Sequence, residues 1–112
     1  MDCLFCKIAM NEIPADILYE DDNLLAFRDI HPQAPVHILI IPKKHISRLN
    51  DLEAEDAHLM GLLTLAAKNL AIKNGIDQSG YRILMNCNDH AGQTVFHLHM
   101  HLLGGKPLPH LG

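Results

Sequence analysis

At 112 residues, 48% hydrophobic and 20% charged, the chain (1–112) has room for one compact domain with an aliphatic core and none for a second. A formal net charge of −4, with nine lysines and arginines that form no stripe, excludes a nucleic-acid polymer as partner but leaves a mononucleotide open, because a phosphate needs only a local cradle. No leader-like opening or bilayer-length apolar run is present, so the expected setting is cytoplasmic without a membrane partner.

The first predicted element is a helix in "DCLFCKIAMNE", with Asp2 as its N-cap, Leu4 or Phe5, Ile8 and Ala9 on one side, and Pro14 ending it. "DILYEDDNLLAFRDI" predicts two strands joined at Asp22-Asn23. "HPQAP" is a proline-punctuated loop. "VHILIIP" is a buried strand interrupted by His37 and closed by Pro42. A long helix follows from about Leu52 to Asn74, with Asn50 and Glu53 as a capping box and Gly75 just past its end. Its stripe of Leu59, Leu63, Ala66 and Leu70 is flanked by a second of Met60, Ala67 and Ala71. That is wider than one sheet face requires, and it favours a dimer interface over a deeply covered helix. "GYRILMN" is a fourth strand, "CNDHAGQT" a polar loop and "GGKPLPHLG" an irregular tail.

The fifth strand is "VFHLHMHLL", in which Phe96, Leu98, Met100 and Leu102 alternate with His97, His99 and His101. The two-residue period predicts apolar side chains on a core and three imidazoles in a row on the other, exposed face, about 6.5 to 7 Å apart. Simple solvation is a poor account of three histidines in strict register. A metal site would need further ligands close by, and strand twist splays the outer rings. Nucleophilic and acid–base catalysis needs a neutral imidazole between two proton carriers, which is what the row supplies. The preceding loop favours this last reading. Gly92 lets backbone N–H groups approach an anion, and Gln93, Thr94 and Asn86 add donors where charge develops on a phosphoryl group. Each of those donors taken singly would be ordinary turn chemistry.

"HLHMHLL" resembles the signature of the histidine-triad family, and "AGQTVF", "DIHPQAPVH" and "IPKKHI" extend the likeness over nearly the whole chain, closest to the Hint branch of nucleotide-binding phosphoramidases. The resemblance implies an α+β fold: a five-stranded antiparallel sheet with two helices, continued into a ten-stranded sheet across a homodimer. It implies hydrolysis of purine nucleoside 5′-phosphoramidates to AMP (or GMP) and amine, with His99 as nucleophile, through a nucleotidyl-histidine. His101 would contact the phosphate and assist the leaving group, while His97 and His37 would order the triad's hydrogen bonds. Asp29, with Ile30 beside it, would hold the ribose hydroxyls. Phe5, Ile8, Phe27 and Leu39 would form the purine slot, and Asn86, Gly92, Gln93 and Thr94 would line the phosphate. No cofactor is expected in the chemistry. Dinucleoside polyphosphate hydrolysis or nucleotidyl transfer, from other branches, and a nucleotide-sensing interaction module are the alternatives.

Cysteine usage adds one open question. Three cysteines, Cys3, Cys6 and Cys87, make no disulfide scaffold, and no strand precedes Cys3-x-x-Cys6 as a thioredoxin-like motif requires. Either Cys6 simply packs in the helix, or the pair is half of a structural zinc site. Some bacterial members of the family carry a similar "C-x-x-C-K-I", and that resemblance implies Cys3, Cys6, His45 and His97 as the ligands. Cys87 is expected to pack as a small apolar residue.

Overall fold

The computed structural model describes residues 3–110. Helix α1 (Leu4–Ala9) is followed by strands β1 (Ile17–Glu20), β2 (Leu24–Arg28) and β3 (Val36–Pro42), helix α2 (Ala57–Lys73), β4 (Tyr81–Leu84) and β5 (Met100–Gly104), with three single-turn 3₁₀ segments between them. The strands form one antiparallel sheet in the order β1-β2-β3-β5-β4, so β1 and β4 are its edges.

Alternation in β2 and β3 divides the core in two. Leu24, Ala26, Ile38 and Ile40, with Leu98, Met100 and Leu102, meet Leu63, Ala66, Ala67, Leu70 and Ala71 of α2 on one face. Leu25, Phe27, Leu39 and Ile41 meet Cys3, Phe5 and Ile8 of α1 on the other. Both faces are therefore covered, and β2 reads as an unbroken apolar run for that reason. Leu63 is wholly buried, so its truncation to alanine costs about 2–5 kcal/mol.

The β1–β2 turn is built by Asp21, whose carboxylate accepts the N–H groups of Asn23 and Leu24, both at 2.8 Å. An Asx-type turn explains why no glycine is needed there. At the far end of α2, Gly75 adopts φ +71; its own N–H donates to the Ile72 carbonyl and that of Ile76 to the Ala71 carbonyl. That is the left-handed exit expected of a glycine past a helix end.

Four expectations are corrected. Asp2 lies outside the described residues, and Cys3 occupies the N-cap of α1, its sulfur accepting the Cys6 N–H at 3.3 Å. The capping box before α2 pairs Glu53 with Asp56, not Asn50 with Glu53, and the α-helix begins at Ala57. Two of the three second-stripe residues, Ala67 and Ala71, are buried in the chain's own core, so that stripe is not a free interface. Strand β5 begins only at Met100. His97 and His99 precede it on irregular backbone, and Phe96 is 44% exposed, not part of the core.

Candidate functional site

The histidine row lies on the α1 side of the sheet. That face is not open to water as the alternation suggested, because α1 covers it: His97 is fully buried and His99 nearly so. Between α1, the ends of β2 and β5 and the residues before β5 is a cavity of about 320 Å³. Its walls include Phe5, Ile8, Phe27 and Leu39, with Asp29, Ile30, Thr94, His99 and His101. Those nine expected residues are thus brought together. Phe5 stands edge-on to Phe27 at 5.4 Å and to His99 at 5.1 Å between ring centroids, which gives the cavity an aromatic wall beside an imidazole.

Three expected phosphate residues lie off the cavity wall. Asn86 and Gly92 are in the loop behind it; Gly92 adopts φ +86, and Asn88 also has positive φ. Gln93 is buried with its amide fully engaged: Nε2 donates to the carbonyls of Ser47 (2.9 Å) and Val95 (3.1 Å), and Oε1 accepts the Asn88 N–H (2.9 Å). Leu4, Ile13, Pro14, Ala15, Arg28, His31 and Val95 also line the cavity. Sequence reading passed over Ile13–Ala15 because it treated Pro14 only as a helix stop, although a chain leaving α1 there has to cross the same sheet face.

Backbone groups set the proton positions on the rings. The His97 carbonyl lies 2.7 Å from His99 Nδ1, so Nδ1–H donates and Nε2 keeps its lone pair. The Gln33 N–H donates to His37 Nδ1 at 3.0 Å, which puts the His37 proton on Nε2. From there it donates to His101 Nδ1 at 2.9 Å, with Asp29 Oδ2 at 3.3 Å from the same nitrogen. His101 in turn carries its proton on Nε2, and its ring lies 5.1 Å from that of His99. One ring thus offers a lone pair and its neighbour an N–H.

Burial makes these rings poor bases. It lowers the pKa of His37, His97 and His99, each partly opposed by a carboxylate or backbone hydrogen bond. His101 falls to about 4, through burial first and then the charges of His99 and His37. All four are neutral at pH 7, the form in which an imidazole is a nucleophile.

Among the described residues, two clusters group metal-type donors. Asp29, His37 and His101 converge, but the Gln33 N–H holds the His37 proton on the nitrogen a metal would need. Cys3, Cys6, His45 and His97 fit far better. His97 Nδ1 lies 3.3 Å from Cys3 Sγ, 3.4 Å from Cys6 Sγ and 3.2 Å from His45 Nδ1, and Cys6 Sγ lies 3.3 Å from His45 Nδ1. A tetrahedral metal with bonds of about 2.0–2.1 Å to nitrogen and 2.3 Å to sulfur puts its donors about 3.3–3.8 Å apart. His97 Nε2–H donates to the Pro42 carbonyl at 2.7 Å, which leaves Nδ1 bare and pointed at the other three, the usual support of a metal-bound histidine. Without a cation, burial and then the adjacent Cys3 push the Cys6 thiol up to about 11. Two thiolates and two imidazole lone pairs at this spacing suit a soft divalent cation.

A HIT domain family model matches residues 10–108. The chain is similar to the purine nucleoside phosphoramidase of Escherichia coli (strain K12), 52% identical over 107 residues, which is 96% of this chain and 90% of that protein. Among solved structures it is similar to a HIT family hydrolase from Legionella pneumophila Philadelphia 1, with TM-score 0.95, 53% identity and 96% of each chain covered. A histidine triad protein from Clostridium difficile matches at TM-score 0.96 and 46% identity, covering 100% of this chain and 97% of that one.

Proposed function

Because the chain belongs to the HIT domain family, we propose that it hydrolyses the P–N bond of purine nucleoside 5′-phosphoramidates, with His99 as nucleophile. The observation that carries this reading is the pair of tautomers: His99 with its Nε2 lone pair free, and His101 with its Nε2–H free, on one cavity wall.

The steps follow from those protons. Nε2 of His99 attacks the α-phosphorus and the P–N bond breaks as the N–P bond forms. Positive charge develops on the His99 ring, and the His97 carbonyl, already bound to Nδ1–H, stabilises it. The departing nitrogen leaves as an amine by taking the proton of His101 Nε2–H as a proton from solvent replaces it, so the ring stays neutral. Water then attacks the nucleotidyl-histidine and loses its proton by way of His101 to solvent, and His99 leaves with its lone pair restored. Products are the nucleoside monophosphate and the amine. His37 and Gln33 keep His101 in the donor tautomer throughout.

The purine enters the slot of Phe5, Ile8, Phe27 and Leu39, and Asp29 accepts from the ribose hydroxyls. Asp29 already holds the His31 N–H on Oδ1 at 2.8 Å, which fixes its carboxylate at the cavity wall. Thr94 is the side-chain donor for the phosphate, and the glycine loop of Asn86, Gly92 and Gln93 shapes the backbone behind it. Zinc is the metal assigned to Cys3, Cys6, His45 and His97, as a structural ion that takes no part in the chemistry. A homodimer forms by pairing the open β4 edges, where Tyr81 and Ile83 are each 38% exposed, into a ten-stranded sheet.

The test is AMP release from adenosine 5′-phosphoramidate by wild type and by His99→Ala, with diadenosine polyphosphates in parallel. Turnover of the phosphoramidate that disappears in the folded variant is expected. Turnover of the polyphosphates alone would move the protein to another branch of the family, and turnover of neither would leave a nucleotide-sensing module.

A further inference from the structure

The four-donor cluster and the nucleotide cavity share two pieces of chain. The first is His97. Its ring gives Nδ1 to the cluster, 3.3 Å from Cys3 Sγ, while its carbonyl holds the His99 Nδ1–H at 2.7 Å. The ring is fully buried and pinned at its far end to Pro42, so it has little freedom to move without its own backbone. The second is α1. Phe5 stands in sequence between Cys3 and Cys6, and its ring packs edge-on against His99 at 5.1 Å as part of the cavity wall.

A six-residue helix does not persist alone. α1 is tied to the sheet by the packing of Phe5 and Ile8, and by the two thiols that flank Phe5. The cluster itself is held by sulfur–imidazole and imidazole–imidazole hydrogen bonds of 3.2–3.4 Å. The bare His97 Nδ1 faces His45 Nδ1 at 3.2 Å, beside two sulfurs that become thiolates when a metal binds. A cation at their centre displaces the thiol protons and replaces those weak contacts with four metal–ligand bonds. Without it, weak hydrogen bonds hold the His97 ring, and with it the His97 carbonyl, and the Cys3–Cys6 turn of α1 in place.

We propose that filling the Cys3–Cys6–His45–His97 cluster with a divalent metal sets the nucleotide affinity of the neighbouring cavity, through the Phe5 wall and the His97 carbonyl. The proposal rests on the nucleotide reading of that cavity. Neither Cys3, Cys6 nor His45 lines it, so the effect passes entirely through shared chain. Linkage makes the effect reciprocal: bound nucleotide tightens the metal by the same factor that bound metal tightens the nucleotide.

The experiment uses the full chain loaded with zinc, and the same protein stripped by chelator with its metal content verified. AMP binding is measured by titration calorimetry in both forms, and zinc affinity by competition with a chromophoric chelator, with and without saturating AMP. We expect the AMP Kd to rise by about tenfold or more on stripping, and AMP to raise zinc affinity by a matching factor, within the span usual for coupled sites. Amide exchange in β3 and α2 checks that the stripped protein is folded; should it not be, Cys6→Ser in the presence of zinc supplies the weakened site. Zinc-loaded protein that binds AMP with a Kd unchanged on stripping overturns the coupling alone. Zinc-loaded protein that binds no AMP overturns the nucleotide reading with it, and protein that takes up no zinc overturns the proposal at its first step.

Discussion

His99 Nδ1–H donates to the backbone carbonyl of His97 at 2.7 Å, and that bond leaves Nε2 as the ring's free nitrogen. The donor is fixed by a backbone acceptor two residues away, so the tautomer does not depend on any titratable partner. With burial lowering its pKa, the ring stays neutral and nucleophilic at physiological pH. His99→Ala therefore lowers kcat by about three orders of magnitude or more, while β3 and α2 amides keep their exchange protection. Added imidazole, reaching the space the ring vacates, restores part of the rate. A folded His99→Ala variant with wild-type kcat would remove His99 from the chemistry.

His101 acts differently, because its lone pair is used in accepting from His37 and only its Nε2–H is free. A proton donor matters most where the leaving group is a poor one. His101→Ala lowers kcat by about 10² to 10⁴ for an alkylamine phosphoramidate, in the range of general acid catalysis. It lowers kcat much less for an aniline, which departs without full protonation. A series of leaving amines measured on both proteins checks this through the slope of log kcat against amine pKa. Equal slopes in wild type and variant would place the proton elsewhere.

Acid stability follows from the same burial. His101 titrates near 4 in the folded protein against 6.5 for an ordinary imidazole, and His37, His97 and His99 are shifted in the same direction. Below 6.5 the unfolded chain takes up protons that the native protein refuses, so acid favours unfolding. The stability held above 6.5 is lost as pH falls towards 4, and His101 alone accounts for on the order of 3 kcal/mol of it. Urea midpoints measured at pH 7.5 and 4.5, with chelator in both, should drop in wild type and drop less in His101→Gln. Identical drops would mean that carboxylates elsewhere dominate.

The sheet was legible because β2, β3 and β4 carry their own patterns, and the triad was legible because residues 97–103 keep a two-residue period. The same period misled at residues 96–99. There the alternation continues, but the backbone leaves the ladder, and the Leu98 N–H goes instead to the Ile46 carbonyl at 2.6 Å. A side-chain pattern reports which face each residue takes and says nothing of where pairing stops. It also could not reveal α1, six residues long, lying over the histidines and turning an expected exposed row into a buried one. The cluster of Cys3, Cys6, His45 and His97 joins residues as far as 94 apart in sequence, and only the resemblance, not spacing, linked them.

Gln93 is where local sequence reading and geometry differ most. Read beside Gly92, its amide is a natural donor to phosphate, yet the structure spends every polar atom of that amide inside the protein. It ties Ser47, two residues past His45, to Asn88 and Val95 in the loop behind the cavity. Removing it takes the partner from a backbone N–H and two carbonyls of part-buried residues, for which about 1–3 kcal/mol is the expected cost of Gln93→Ala. A phosphate ligand lost from the same position would instead raise KM and leave stability nearly untouched. Urea denaturation and steady-state kinetics on one preparation separate the two roles. A midpoint that falls while KM moves less than about threefold identifies a brace, since a direct hydrogen bond to a charged group contributes about 1.5–3 kcal/mol, or more than tenfold. A KM raised by that larger factor at unchanged midpoint would return Gln93 to the phosphate.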